Sequence, residues 1–175
     1  MQLNKITYTD LMRRPKLRKI MAIYHHKESD LQIRCVKWFR VTYPAFAFLL
    51  EHPHNEGNAF NRSQQIIANR EGVTKGVADL LLHIPTQDYF SLAIEMKTEK
   101  GRQSPEQKIF QRYFEAAGGK YIVVRTFEGF CDFVTSYMDD VTPVTWGAIN
   151  AVYKEIEKER LAEAKRELEK MLKRQ

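Results

Sequence analysis

The chain has few cysteines and no long apolar run, and each lack closes a route. Cys35 and Cys131 are its only cysteines, and neither stands in a CxxC or Cys/His spacing. That argues against a disulfide framework and a structural zinc site, and reads as two reduced, buried thiols in a cytoplasmic protein. No apolar run approaches the roughly 20 residues needed to span a bilayer, so no membrane association is expected. Met1-Gln2-Leu3-Asn4-Lys5 has no charged head leading into an apolar stretch, so no signal peptide is expected. No internal repeat is visible.

What is present is a foldable middle with charged ends. The 175 residues are 43% hydrophobic, enough for one domain with a core plus appendages. Residues 1–27 carry seven Lys/Arg and one acid, residues 151–175 eight and six, and residues 28–150 thirteen and fifteen. The basic character therefore lies in the ends, around a slightly acidic middle. Such a distribution suits a polyanionic partner whose chemistry needs a metal held by carboxylates, and an ordinary solubilising arm fits the charge equally well.

The pattern predicts a basic N-terminal arm over 1–27, broken at Arg13-Arg14-Pro15, then a domain over 28–140, then a linker and long charged helix over 141–175. Within the domain, Leu31, Cys35, Val36 and Phe39 recur at helical spacing over Ser29–Tyr43, and Pro44 stops the helix. Ala45–Leu50 reads as a short strand, followed by a polar loop through His52-Pro53-His54-Asn55-Glu56-Gly57-Asn58 and a weaker helix over Arg62–Arg70. Strands come next near Ala78–Ile84 and Tyr89–Met96, joined by Pro85-Thr86-Gln87-Asp88. Ser104-Pro105-Glu106-Gln107 combines an N-cap Ser, a first-turn Pro and a Gln three residues after the cap, a strong helix start. That helix ends at Gly118-Gly119. A strand at Tyr121–Val124, a helix over Phe127–Tyr137 and a long helix over 148–174 with a narrow stripe of Leu161, Ala164, Leu168 and Leu172 complete the chain. The order gives a mixed sheet with helices on its faces.

Two apolar runs each carry an acid: Val77-Ala78-Asp79-Leu80-Leu81-Leu82 and Phe90-Ser91-Leu92-Ala93-Ile94-Glu95. Burying a carboxylate there is costly unless a metal or a cation pairs with it. Lys97 shares a face with Glu95, because side chains two apart in a strand do. Phosphodiester hydrolysis needs a deprotonated water, a polarised phosphoryl oxygen and a stabilised leaving oxygen, all of which bound divalent ions can serve. Asp79, Glu95 and the Met96 backbone carbonyl could ligate Mg²⁺ or Mn²⁺, an ion that needs few carboxylates, while Lys97 could orient the attacking water. A charged pair closing a strand is also a common solvated strand end, so Glu95-Met96-Lys97 alone is weak. Glu28 reads equally as a first-turn acid favoured by the helix dipole. His83, inside an apolar run, reads as a satisfied core histidine, and the His52/His54 pair as solvent-exposed or near nucleic acid.

Lys27-Glu28-Ser29-Asp30-Leu31-Gln32, Gly76-Val77-Ala78-Asp79, Glu95-Met96-Lys97 and Ser104-Pro105-Glu106-Gln107, in that order and spacing, resemble the motifs of the virus-type replication–repair nuclease (VRR-NUC) family of the PD-(D/E)xK nuclease superfamily. The match runs from about residue 27 to 137. The resemblance implies an α/β, restriction-endonuclease-like αβββαβ core, with the charged C-terminal helix as an addition. It implies a divalent-metal-dependent DNA endonuclease of the kind found in phages and prophages, working in replication, repair or recombination in a bacterial cytoplasm. It implies roles for Glu28 as first-helix acid (Asp30 being its rival), Asp79 and Glu95 as metal ligands, Lys97 as catalytic lysine, and Gln107 as a polar partner of the water or phosphate. Lys75, Lys100, Arg102, Arg13, Arg14 and Asn55 are candidate DNA contacts. Two alternatives stay open: a junction resolvase acting as a homodimer, and a DNA-binding module on the same fold without turnover.

Overall fold

A computed structural model describes residues 27–53, 70 and 72–172. The N-terminal arm with Arg13 and Arg14, the loop with His54, Asn55, Glu56 and Gly57, and the helix expected from Arg62, but for Arg70, lie outside the described residues.

Helix α1 spans Lys27–Thr42, beginning two residues earlier than its apolar spacing indicates and placing Glu28 and Asp30 in the first turn. Pro44 ends it as expected, but the next segment is not the strand expected over Ala45–Leu50. Pro44–Leu49 forms a 3₁₀ turn with Pro at its start, and only Leu50–Glu51 (β1) is strand. Proline's fixed φ suits a first helical turn, and the turn drives Phe46 fully into the core, which an alternating strand would not do as well.

Strands β2 (Leu80–Leu82) and β3 (Leu92–Met96) are shorter than the apolar runs that announce them. The connection between them turns on Thr86, whose Oγ1 accepts from the backbone N–H groups of Asp88 and Tyr89. Helix α2 (Pro105–Ala116) crosses from β3 to β4 (Lys120–Val124), so β3 and β4 run parallel while β1–β2 and β2–β3 are antiparallel, in the spatial order β1-β2-β3-β4. Gly118, at φ +92, makes the left-handed exit from α2 that a side chain would resist. Helix α3 covers Phe127–Asp139 and helix α4 Pro143–Leu172.

Helix α4 starts five residues before the expected position, directly on Pro143. Its first turns belong to the core: Trp146 and Ile149 pack against it, and Trp146 donates its ring N–H to the Met138 carbonyl. Further along, Leu161, Leu168, Met171 and Leu172 stand exposed. No helix among the described residues is long and apolar enough to cross a membrane.

Alternation along β3 divides the sheet into two faces. Leu92, Ile94 and Met96 point into the main core with Leu80, Leu82, Phe39 and Cys35 of α1, Phe46, and Phe130, Val134 and Met138 of α3. Ala93 points the other way, into a small cluster with Ala78 and Tyr121, roofed by Phe110 and Phe114 of α2. His83 departs from its expected place in the core. It comes just after β2 with Leu82 and Ile84 buried on either side, so it faces outward and pairs with Glu51 at 2.8 Å. Cys35 is buried, its thiol pushed up to about 12 chiefly by desolvation, and Cys131 is half-buried; both are free.

Candidate active site

The thinner face of the sheet carries the acids. Glu95 is fully buried, and its carboxylate meets three donors. Lys97 Nζ lies 2.5 Å from Oε1, the Gln107 side-chain amide also donates to Oε1, and the Tyr121 hydroxyl donates to Oε2 at 3.0 Å. A carboxylate has about four lone-pair positions, so three are taken and one is left over, on Oε2. Lys97 comes directly after β3, and its own N–H donates to the Val124 carbonyl, which holds the lysine in line with the strand.

Gln107 reconciles two roles that compete for one side chain. Its Oε1 accepts from the Ser104 N–H at 2.8 Å while the Ser104 hydroxyl accepts from the Gln107 N–H, closing the capping box. Its amide nitrogen is left to reach Glu95. The cap thereby fixes the rotamer that serves the site.

Asp79 sits at the threshold of β2 rather than within it. Continuing the β2–β3 register would set Ala78 opposite Met96. The chain leaves the sheet there, and the Met96 N–H donates instead to Asp79 Oδ2 at 2.6 Å. The N–H and C=O of a strand residue face the same neighbour, so the Met96 carbonyl also looks toward Asp79. Gly76 permits this departure: at φ +86 it lies so close to α2 that an added Cβ would sit 2.4 Å from the Glu106 carbonyl carbon. The segment bearing Asp79 is thus pressed against the start of the helix bearing Gln107.

Between these elements is an open cleft of about 470 Å³, lined among others by Glu28, His52, Lys75, Asp79, Lys97 and Gln107. Burial raises the carboxyls of both Asp79 and Glu95 above their ordinary values; the hydrogen bond from Met96 and the lysine Lys97, respectively, are the strongest opposing influences. Two desolvated acids beside one lysine leave unbalanced negative charge, which a cation would offset. Glu28 Oε1 is turned toward the loop after β3 and accepts from the Thr98 N–H at 2.8 Å. No three His, Cys, Asp or Glu side chains among the described residues form a ready metal cage. Hard oxygen donors from Asp79, Glu95 and the Met96 carbonyl nevertheless fit Mg²⁺ or Mn²⁺, which keep several waters.

Lys75 lines the cleft, whereas Lys100 and Arg102 belong to the loop after β3 and lie outside the lining. Asp30, in the first turn of α1, is exposed and also outside it. Three contributors escape sequence reasoning. Tyr121 touches Glu95 only because β4 pairs with β3 in the register Ala93↔Tyr121. His52 Nδ1 lies 2.6 Å from the Asp79 carbonyl and 3.1 Å from the Gln32 amide. Arg125 sends its guanidinium into the carbonyls of Thr98, Glu99 and Gly101, clamping the loop that begins at Lys97.

A family model described as the VRR-NUC domain matches residues 14–128. A solved structure named VRR_NUC domain protein is similar with a TM-score of 0.55 at 19% sequence identity, covering 65% of this chain and 89% of that one. At that identity the likeness concerns the fold: a four-stranded mixed sheet flanked by helices. No curated protein matches.

Proposed function

The chain belongs to the VRR-NUC domain family, of nuclease-type fold, and on that premise we propose that it is a divalent-metal-dependent endonuclease hydrolysing DNA phosphodiester bonds. The observation that carries this reading is Glu95: a fully buried carboxylate, itself outside the cleft lining, held by Tyr121 and by Lys97 and Gln107, which line the cleft with Asp79. A carboxylate buried so completely is costly to ionise, and such a cost fits a site that uses the charge.

Asp79, Glu95 and the Met96 carbonyl would hold Mg²⁺ or Mn²⁺, with Glu28 close enough to influence Asp79 and able to join through a water. When bound, the ion supplies a Lewis acid for the phosphoryl oxygen and an acidified water. Lys97 keeps a cation beside that position, where it orients the attacking water and offsets charge developing on the phosphate. Gln107 holds Glu95 against rotation. Lys75, exposed at the rim, offers a positive charge to a neighbouring phosphate. By its resemblance the activity serves replication, repair or recombination of phage or prophage DNA.

The test is a cleavage panel of duplex, single-stranded, flapped and four-way-junction DNA with Mg²⁺, Mn²⁺ or EDTA. The expected outcome is cleavage of at least one substrate with either metal and none with EDTA. No cleavage of any substrate with either metal would overturn the reading in favour of a binding module. The exposed stripe of Leu161, Leu168 and Leu172 on α4 favours a second reading, junction resolution by a homodimer. A monomeric mass in solution at working concentration would contradict that reading alone.

A further inference from the structure

The peptide group of Asp79 presents a hydrogen-bonding problem that its neighbours solve in an unusual way. In the β1–β2 ladder Leu50 lies opposite Leu82 and Glu51 opposite Leu81. Continuing that register sets Pro53 opposite Asp79. The His83 N–H donates to the Leu49 carbonyl at 2.9 Å, which marks Leu49/His83 as a hydrogen-bonded pair. Such pairs alternate along an antiparallel ladder, so Glu51/Leu81 and then Pro53/Asp79 occupy the same kind of position. There the Asp79 carbonyl should accept from the N–H of residue 53, and proline has none.

The side chain one residue earlier supplies the missing donor. His52 Nδ1 lies 2.6 Å from the Asp79 carbonyl oxygen. A carbonyl only accepts, so this contact assigns the ring proton to Nδ1. The Gln32 amide, one turn after Glu28 on α1, lies 3.1 Å from the same nitrogen; a protonated Nδ1 cannot accept from an N–H, so with this tautomer the Gln32 amide must present its oxygen there. The other end of Asp79 is fixed by the Met96 N–H on Oδ2. The residue is therefore gripped at its carbonyl from β1 and at its carboxylate from β3, just where β2 parts from the sheet.

We infer that His52 is the positioning residue for Asp79, its Nδ1–H replacing the ladder hydrogen bond that Pro53 cannot give and so setting where the Asp79 carboxylate stands in the cleft. This rests on the reading of Asp79 as a metal ligand. His52 acts on the aspartate through its peptide group. Its loss frees rotation about the backbone beside Asp79, and removal of outer-shell partners of this kind costs roughly 10–100-fold in metal affinity or activity.

The experiment measures Mg²⁺ or Mn²⁺ affinity by titration calorimetry, together with kcat and KM for a cleaved DNA. The proteins are the full chain and its His52→Ala, His52→Asn, His52→Gln, His52→Ala/Pro53→Ala and Asp79→Asn variants. His52→Ala is expected to bind metal roughly 10–100-fold more weakly and to lose kcat while KM for DNA holds. His52→Asn, whose amide nitrogen falls near the Nδ1 position, should recover most of the loss, and His52→Gln, which mimics the far ring nitrogen, should not. Adding Pro53→Ala to His52→Ala restores a backbone N–H to the ladder and should recover part of the loss. Should His52→Ala fail to fold, the contrast between the Asn and Gln variants decides. Wild-type metal affinity in His52→Ala, or rescue by Gln and not by Asn, would overturn the inference. Wild-type metal affinity in Asp79→Asn would instead overturn the reading of Asp79 as a ligand; loss there with none in His52→Ala would overturn only the role of His52.

Discussion

The two faces of the sheet differ in what covers them. One lies under α1, the 3₁₀ turn, α3 and the start of α4, and collects nearly all the fully buried large side chains, from Phe39 and Phe46 to Leu92, Phe130 and Met138. The other lies under α2 alone, a helix with no fully buried residue, over a cluster built from Ala78, Ala93 and Tyr121. Stability therefore concentrates on the first face, where each fully buried large aliphatic or aromatic side chain contributes about 1.5–3 kcal/mol. The second face gives its interior to a buried glutamate, a lysine and a glutamine. A carboxylate could not be kept ionised within the thick core without similar partners. On the thin face the small side chains of Ala78 and Ala93 leave room for a polar cleft.

Three changes probe that division, the most damaging first. Phe130→Ala empties the centre of the thick face and should cost about 3–5 kcal/mol, read as a large drop in denaturant midpoint, with site residues untouched. A loss below about 1 kcal/mol would show that the core does not rest on this face. Metal addition comes next and acts on the thin face. Asp79 and Glu95 have carboxyls raised by burial, so their contribution to stability is present below the unfolded values near pH 4 and is lost as pH rises through the folded ones. Metal-free protein should accordingly show a decline with pH that Asp79→Asn reduces. A divalent ion at a hundred times its dissociation constant should return about 2.7 kcal/mol. The resulting rise in Tm should be clear at pH 8 and fade toward pH 4.5, as protons compete with the metal. An equal rise at both pH values would contradict the assignment. Gly76→Ala strains the fold in two ways: positive φ alone costs about 1–2 kcal/mol, and the new Cβ would meet the Glu106 and Gln107 backbone, which only a backbone shift relieves. That shift would move Gln107 away from Glu95. Cleavage should fall more steeply than stability, as fitted by parallel rate and melting measurements.

The legible parts of this molecule were those written in short-range chemistry. The capping box Ser104–Gln107 is visible in four consecutive residues because both of its bonds are local. Glu95 and Lys97 share a face through simple alternation. Parts that depend on register between distant segments were hidden: Tyr121 reaches Glu95 across twenty-six residues, and His52 reaches Asp79 across twenty-seven. The misread run Ala45–Leu50 fails for a related reason, since a short apolar stretch serves a 3₁₀ turn or a strand equally until packing chooses. His83 looked internal because the residues around it are apolar, and its outward direction comes only from the parity of β2. The second bond of Gln107 was hidden too: the cap motif predicts where its oxygen goes, and only the fold shows where its nitrogen goes.

Lys97→Ala tests the division between the faces most directly, with DNA cleavage and melting temperature measured on the same preparation in Mg²⁺. Lys97 contributes its ammonium to the thin face and no apolar surface to the thick core. The expected result is a loss of cleavage of at least about 10²–10³-fold with melting lowered only modestly. Cleavage at the wild-type rate by a folded Lys97→Ala protein would contradict the account.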